Sequence, residues 1–116
     1  MKTLVAAVLA AAGATALAAP KAESAMECGI AADMAVVARS LAQEAVQRPQ
    51  ATAIMARIYD VSESTRGREL MRDILDAAYR QDSAAGGASS QKFAEDLFTA
   101  CMKTGGNMDT VLGSKL

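Results

Sequence analysis

The chain has 116 residues, of which 12 are Lys or Arg and 13 are Asp or Glu, and it contains no histidine. This length allows one domain, and the net charge of -1 excludes a basic nucleic-acid-binding surface and a polybasic membrane anchor. Without histidine the chain cannot build a histidine-ligated haem, a histidine zinc site, or a Ser-His or Cys-His nucleophile pair.

Residues 1–18 are typical of a secretory signal peptide. Lys2 precedes an apolar run over 4–12, and residues 16–18, Ala-Leu-Ala, fit an A-x-A cleavage site. The run is shorter than the roughly 20 residues of a membrane span. We therefore predict cleavage after Ala18 and a periplasmic or secreted protein with no stable membrane anchor; an uncleaved amphiphilic N-terminus is the alternative. Removal of Lys2 with the leader leaves 11 basic and 13 acidic residues, a net charge of -2.

The two cysteines, Cys28 and Cys101, are predicted to form a disulfide. An even cysteine count in an exported protein usually means a disulfide. Aromatic residues make up 3% of the chain and alanine fills 19 of the 98 mature positions, so each helix buries little apolar area. A bond across so long a loop stabilises a fold by roughly 4 kcal/mol. A redox-active pair and a two-thiolate metal site are the alternatives, although redox pairs usually have the C-x-x-C spacing.

Periodicity predicts four helices and no sheet. Helix 1 runs from a capping box at Ser24 to Pro49, helix 2 from Pro49 to Val61, helix 3 from Thr65 to Gln81, and helix 4 from Ser89 or Ser90 to Thr104. Residues 82–90 form a loop, either functional or a spacer, and Gly105-Gly106 ends helix 4. The predicted fold is all-α, a compact irregular bundle of about four helices stapled by one disulfide. Residues 19–104 form the domain and 105–116 a short tail.

Each helix has an apolar stripe that is predicted to face the core. The stripes are Ile30, Met34, Val37, Leu41 and Ala45; Ala51, Ile54, Met55, Ile58 and Val61; Leu70, Met71, Ile74, Leu75 and Ala78; and Phe93, Leu97 and Cys101. Alanines flank the first stripe and allow close helix approach. Glu44 and Arg48 are spaced for an i, i+4 ion pair on helix 1. Met108, Val111 and Leu112 could dock the tail.

No residue pattern indicates catalysis. Helix 3 carries closely spaced carboxylates that could divide acid and base roles, but interleaved arginines favour a solvated face. These carboxylates are Glu69, Asp73 and Asp76. The methionines do not cluster as copper sites require, so we interpret them as core filling; a flexible apolar groove for a partner is the alternative. Phosphate-binding, G-x-S-x-G and haem motifs are absent, so we predict no enzyme activity and no cofactor.

The order of features resembles a loose group of small secreted proteobacterial proteins. The resemblance lies in Cys28, Ala38-Arg39, Ile58-Tyr59, Ala78-Tyr79-Arg80, Phe93 and Cys101. Members of this group have a signal peptide, an all-helical body and two cysteines, and the group implies no functional site. The plan is also similar to that of the small helical acid-stress chaperones of the bacterial periplasm, which have one disulfide.

Export, a stapled helical scaffold and the lack of a catalytic pattern predict a non-catalytic binding or interaction role. The expected partner is another protein or a small apolar ligand, and not nucleic acid. Two alternatives come from other classes. A periplasmic holdase would expose apolar surface under acid or heat, and a thiol-based redox or metal-handling protein would need a free, low-pKa thiol at Cys28 or Cys101.

Overall fold

The structure, a computed structural model, describes residues 22–60, 64–83 and 89–113. These residues form five helices and no strand. The helices are α1 (Ala25–Gln43), α2 (Arg48–Tyr59), α3 (Thr65–Ser83), α4 (Ser90–Lys103) and α5 (Asp109–Leu112). The predicted all-α fold is therefore confirmed, and α5 adds a short helix from the predicted tail. The predicted signal peptide and most of the predicted 82–90 loop lie outside the described residues.

Two serines cap helices as the sequence predicts. The Ser24 hydroxyl accepts a hydrogen bond from the Glu27 amide at 3.2 Å, and the Ser89 hydroxyl accepts one from the Lys92 amide at 3.1 Å. The Glu27 carboxylate reaches back to the Glu23 amide at 2.8 Å rather than to Ser24. These bonds satisfy amides that a helix start leaves without intrahelical partners.

Helix α1 ends at Gln43, before the predicted limit at Pro49. Ala45 adopts the left-handed conformation, with φ 60°, and the Val46 amide donates to the Leu41 carbonyl at 3.0 Å. The chain therefore turns before Pro49, which lies in the first turn of α2, as expected from its fixed φ and missing amide hydrogen.

This turn redirects Arg48, for which the sequence predicts an ion pair with Glu44 on helix 1. Arg48 is instead the first residue of α2, and its guanidinium lies 2.6 Å from the Asp76 carboxylate on α3. It also lies 5.8 Å from the centre of the Tyr79 ring. The predicted local pair was wrong because the turn removes Glu44 and Arg48 from a common helix, so the ion pair joins α2 to α3.

Helix α1 is the central helix and packs against both α3 and α4. Its buried side chains are mostly alanines, including Ala31, Ala35 and Ala38, with Met34 among them. The predicted stripe was wrong at Ile30, which is 42% exposed, and at Ala45, which is exposed beyond the end of α1. A helix with two packed neighbours must bury a wide face, and small side chains allow both neighbours to approach closely.

The stripes of α3 and α4 are confirmed, whereas that of α2 was wrong in part. The stripe positions of α3 and α4 are all buried: Leu70, Met71, Ile74, Leu75, Ala78, Phe93, Leu97 and Cys101. In α2 only Ala51 and Met55 are buried, while Ile54 and Ile58 are 40% and 55% exposed. Val61 lies outside the described residues. Helix α2 therefore contacts the core along a narrow line.

The predicted disulfide is formed between Cys28 in the first turn of α1 and Cys101 in the last turn of α4. Their Cα atoms are 5.7 Å apart, and 73 positions separate them in the sequence. Both residues are buried. The bond fixes an antiparallel pair of helices at one end, as expected for neighbours in an up-and-down arrangement.

The predicted tail docks through Met108 and Leu112, both of which are buried. The guanidinium of Arg80 donates to the Leu112 carbonyl at 2.7 Å. The Gly106 carbonyl accepts a hydrogen bond from the Ala22 amide at 3.1 Å. Gly106 has a φ of +99°, and a Cβ at this position would collide with the Ala22 backbone. This glycine is therefore required both by its backbone conformation and by the close approach of the N-terminal segment.

Candidate functional site

An open groove of about 680 Å³ runs between α1 and α4. Its α1 wall consists of Gly29, Ala32, Asp33 and Val36, and its α4 wall consists of Ser90, Gln91, Ala94, Glu95, Phe98 and Thr99. We call this surface the α1–α4 groove. Its volume lies in the roughly 300–1,000 Å³ range of ligand sites.

The floor of the groove is apolar and remains accessible to solvent. Val36 and Phe98 are each 40% exposed, and they lie on opposite walls. Ala32 is half-buried and Ala94 is buried, so small side chains form the deepest part. Large apolar side chains left beside a concave surface are typical of a binding site.

Gly29 widens the groove at the position where α1 would otherwise present a side chain. A Cβ built on Gly29 would have no atom within 4 Å, so no contact within the described chain requires a glycine there. Glycine within a helix costs about 1 kcal/mol relative to alanine. The groove therefore has a feature that destabilises α1 slightly and is not explained by internal packing.

Two carboxylates give the groove a negative rim, with Asp33 on α1 and Glu95 on α4. The Tyr59 hydroxyl donates to Asp33 at 2.6 Å, and the Gln91 amide donates to Glu95 at 3.2 Å. Burial of the Tyr59 phenol, together with its bond to Asp33, raises its pKa, so this hydroxyl stays protonated and remains a donor. The Tyr59 hydroxyl therefore holds the Asp33 carboxylate in place at the α1 side of the groove.

A second, smaller cavity of about 200 Å³ lies between the start of α1 and the start of α3. Arg66 crosses it and donates two hydrogen bonds to the Glu27 carboxylate, at 2.7 and 2.9 Å. Glu23 lies 3.2 Å from the same guanidinium. The hydrogen bonds from Arg66 and from the Glu23 amide lower the pKa of Glu27 from 4.5 to about 2.

We predict that Glu27→Gln lowers the free energy of unfolding at pH 7 by up to about 1 kcal/mol, because exposed ion pairs contribute little. The Glu27 pKa is lowered in the folded protein, so its contribution is complete above pH 4.5 and disappears as the pH falls to about 2. Urea unfolding at several pH values measures the difference. Glu44→Gln, at the other end of α1, is the control, and a constant difference between pH 7 and pH 2 would contradict the prediction.

A third cavity, of about 290 Å³, lies at the disulfide end and is lined by Cys28, Cys101, Met102 and the glycine pair after α4. Both sulfurs are in the disulfide, so neither carries a thiol in this state. A role as nucleophile or metal ligand would first require reduction.

The helix-3 carboxylates do not form one solvated face. Asp73 is 3% exposed, so the predicted solvated position was wrong. It lies three residues after Leu70 and four before Ala77, both buried, and therefore on the packed side of α3. Asp76 is bound by Arg48 across the α2–α3 interface. Burial thus separates the carboxylates that the sequence places side by side.

A second buried charge lies on α1. Arg39 is buried and donates to the Ala78 carbonyl of α3 at 3.4 Å. Removing a charged group from water is costly unless hydrogen bonds or an opposite charge compensate it. The bond from Arg39 makes it part of the α1–α3 interface, and neither Arg39 nor Asp73 lines the α1–α4 groove.

The interpretation of the methionines as core filling holds for four residues and was wrong for two. Met34, Met55, Met71 and Met108 are buried. Met26 is 73% exposed and Met102 is 49% exposed, both near the disulfide end of the molecule. Within the described part of the chain, no group of three or more Cys, Asp or Glu side chains could hold a metal ion.

The α1–α4 groove was not predicted from the sequence. Its apolar members do not belong to the predicted stripes, because Phe98 follows the stripe residue Leu97 and Val36 precedes the stripe residue Val37. Gly29 within a helical pattern was the available signal.

Among the described helices none is long and apolar enough to cross a bilayer.

Comparison of the chain with protein-family models, curated proteins and solved structures found no match.

Proposed function

We propose that this chain is a small exported protein with a non-catalytic binding role, and that the α1–α4 groove is its binding site. The observation that carries the proposal is the groove itself, with its open apolar floor between two helices joined by a disulfide. A binding surface supported by rigid helices loses little conformational entropy when it is occupied.

The features of α1 and α4 support this proposal over a purely structural role. Gly29 leaves space that no described side chain fills, and Phe98 leaves much of its ring in solvent although the core lies one residue away at Leu97. Covering apolar surface of this kind is favourable by about 25 cal/mol per Å². The disulfide supports an oxidising compartment such as the periplasm or the extracellular fluid.

Gly29→Leu is expected to block the groove without damaging the fold. A leucine at this position meets no atom of the described chain within 4 Å of its Cβ, and it removes the cost of a helical glycine. We expect the variant to be as stable as the parent protein, and to lose most of the binding of Nile red, an uncharged apolar dye, measured by fluorescence.

Ile58→Ala is the matched control, since Ile58 is exposed on α2 and does not line the groove. This variant should bind the dye as the parent protein does. No dye binding by the parent protein, or equal binding by Gly29→Leu and the parent, would contradict the proposed site.

The two alternative functions give different results in the same series. A holdase would bind dye strongly only after acid or heat treatment, and it would suppress aggregation of an unfolded client. A thiol-based function would require reduction of Cys28 and Cys101 before any activity appears. The groove is accessible in the native, oxidised state, and this favours binding over both alternatives.

A further inference from the structure

We propose that the occupant of the α1–α4 groove is a basic amphipathic helix of a partner protein, with its apolar face on the groove floor and Lys or Arg at its edges. This inference rests on the proposed binding function and specifies the partner for the same site. It is argued from the charge of the rim, the length of the walls and the exposure of the lining residues.

The charge of the rim favours a cationic partner. The groove lining includes two carboxylates, Asp33 and Glu95, one on each wall, and no Lys or Arg. Lys92, on the same helix as Glu95, is bonded to Asp96 at 2.9 Å. The bonds from Tyr59 and Gln91 use Asp33 Oδ2 and Glu95 Oε2, and the other oxygen of each carboxylate has no hydrogen bond to a described residue. Each carboxylate can therefore accept a hydrogen bond from an incoming ammonium or guanidinium group.

The dimensions of the groove suit a short helix. At about 1.5 Å per residue, the α1 wall from Gly29 to Val36 extends over about 10 Å and the α4 wall from Ser90 to Thr99 over about 14 Å. These lengths correspond to about two turns of a third helix. The two walls run side by side, so such a helix would lie with its axis along the groove. At Gly29 the backbone of the partner can approach α1 closely, because no side chain intervenes.

The exposure of the lining residues distinguishes a helix from a small molecule. Most of the lining side chains are solvent-exposed, and only Ala94 is fully buried. Small-molecule sites usually enclose about 70–90% of their ligand. A helix can cover the floor with its apolar face and keep its polar face in water, so an open groove suits it better.

The same charges disfavour a second copy of this chain in the groove. In a symmetric pair of grooves the same patch faces itself. Asp33 and Glu95 would then face the identical carboxylates of the other copy, and the mature chain carries a net charge of -2. Like charges placed together at an interface are unfavourable, so the partner should be of the opposite charge.

The test uses two 14-residue helical peptides with the same leucine face, one with Lys and the other with Glu at the flanking positions. Each carries a fluorophore, and binding to the full oxidised protein is measured by anisotropy at low salt. We expect the Lys peptide to bind at least about tenfold more tightly, since each exposed charge pair contributes about two- to fivefold. Amide chemical shifts should change along α1 and α4 only.

Asp33→Asn combined with Glu95→Gln should remove this preference, whereas Glu44→Gln, outside the groove, should leave it unchanged. A Lys peptide with the same composition but a scrambled apolar face should bind weakly, which excludes simple charge attraction. Asn and Gln have the size of the acids and keep one acceptor oxygen each, so the bond from Tyr59 can persist in the double variant.

Several results would overturn the inference. Equal binding of the two peptides, or no binding of either while Nile red still binds the parent and not Gly29→Leu, would refute the basic helix but leave the proposed function intact. A concentration-dependent dimer in which the groove amides are protected would show that a second copy is the occupant. Absence of both peptide and dye binding would refute the inference and the proposed function together.

Discussion

Replacement of both cysteines, Cys28→Ala with Cys101→Ala, is expected to lower the free energy of unfolding by about 4 kcal/mol. The bond joins positions 73 apart, so in the unfolded state it closes a loop that contains most of the described residues and reduces the conformational entropy of that loop. Small domains have a total stability of only about 5–15 kcal/mol, and the apolar area that alanine-rich helices bury is small. The variant should therefore unfold at a much lower urea concentration, and at a temperature lower by roughly 15 °C or more.

Reduction of the parent protein is the control for this variant. The chain has two cysteines in all, so a thiol reductant acts on this bond alone. The reduced parent and the double variant should have similar unfolding midpoints, measured by circular dichroism. If the oxidised parent and the double variant unfold together, the disulfide contributes little and the helical core is stable by itself.

Phe93→Ala is expected to have an effect of similar size, a loss of about 3–5 kcal/mol. Phe93 is 1% exposed and is the largest of the fully buried side chains. Truncation to alanine would leave a cavity in the core, and the surrounding side chains relax only partly into such a cavity. Equilibrium urea unfolding measures the loss, and the variant should be close to the limit at which the fold persists at 37 °C.

Phe98→Ala is the matched control, because it removes the same group five positions later on the same helix. Phe98 is 40% exposed at the groove, so its truncation should cost far less stability while weakening binding at the groove. Equal destabilisation by the two variants would show that α4 is rotated relative to the described packing.

The sequence predicts the buried residues of α3 and α4 well, because the apolar stripe of each helix stands among polar and charged neighbours. In α3 a run of apolar residues alternates with charged residues at helical spacing, and the residues of that run are the buried ones, among them Ile74 and Leu75. In α4, Ser89 as N-cap and the glycines after Lys103 mark both ends. The cysteine pairing also follows from the sequence, because Cys28 and Cys101 are the two cysteines of the chain.

Packing that depends on two neighbours is less accessible from the sequence. Ile30 and Ile58 have the hydrophobicity and spacing of core residues, yet α1 buries its alanine face and α2 contacts the core through Met55 and Ala51. Hydrophobicity alone predicts that isoleucine is buried in preference to alanine. Where two helices approach closely, the smaller alanine is the residue that fits between them. Asp73 illustrates the same limit, since it is buried by the packing of α3 although a charged residue is expected at the surface.

The candidate site depends on such a relation between distant segments. Gly29 and Phe98 belong to different helices, and the sequence of one helix does not show which residues of the other lie opposite it. Their shared groove arises only when the disulfide end aligns α1 with α4. Sequence periodicity describes one helix at a time and cannot reveal a concave surface between two.

The alanines at the centre of α1 also limit how this sequence can change. Ala31, Ala35 and Ala38 are fully buried where α1 packs against its neighbours. Single-base changes in an alanine codon give Ser, Thr, Pro, Val, Gly, Asp or Glu, and all of these except Gly add atoms to a space already filled. Overpacking costs about 1–3 kcal/mol, and a buried charge costs more. Selection at these positions should thus act mainly against substitutions that enlarge the side chain. A core of leucines is instead damaged mainly by substitutions that make the side chain smaller.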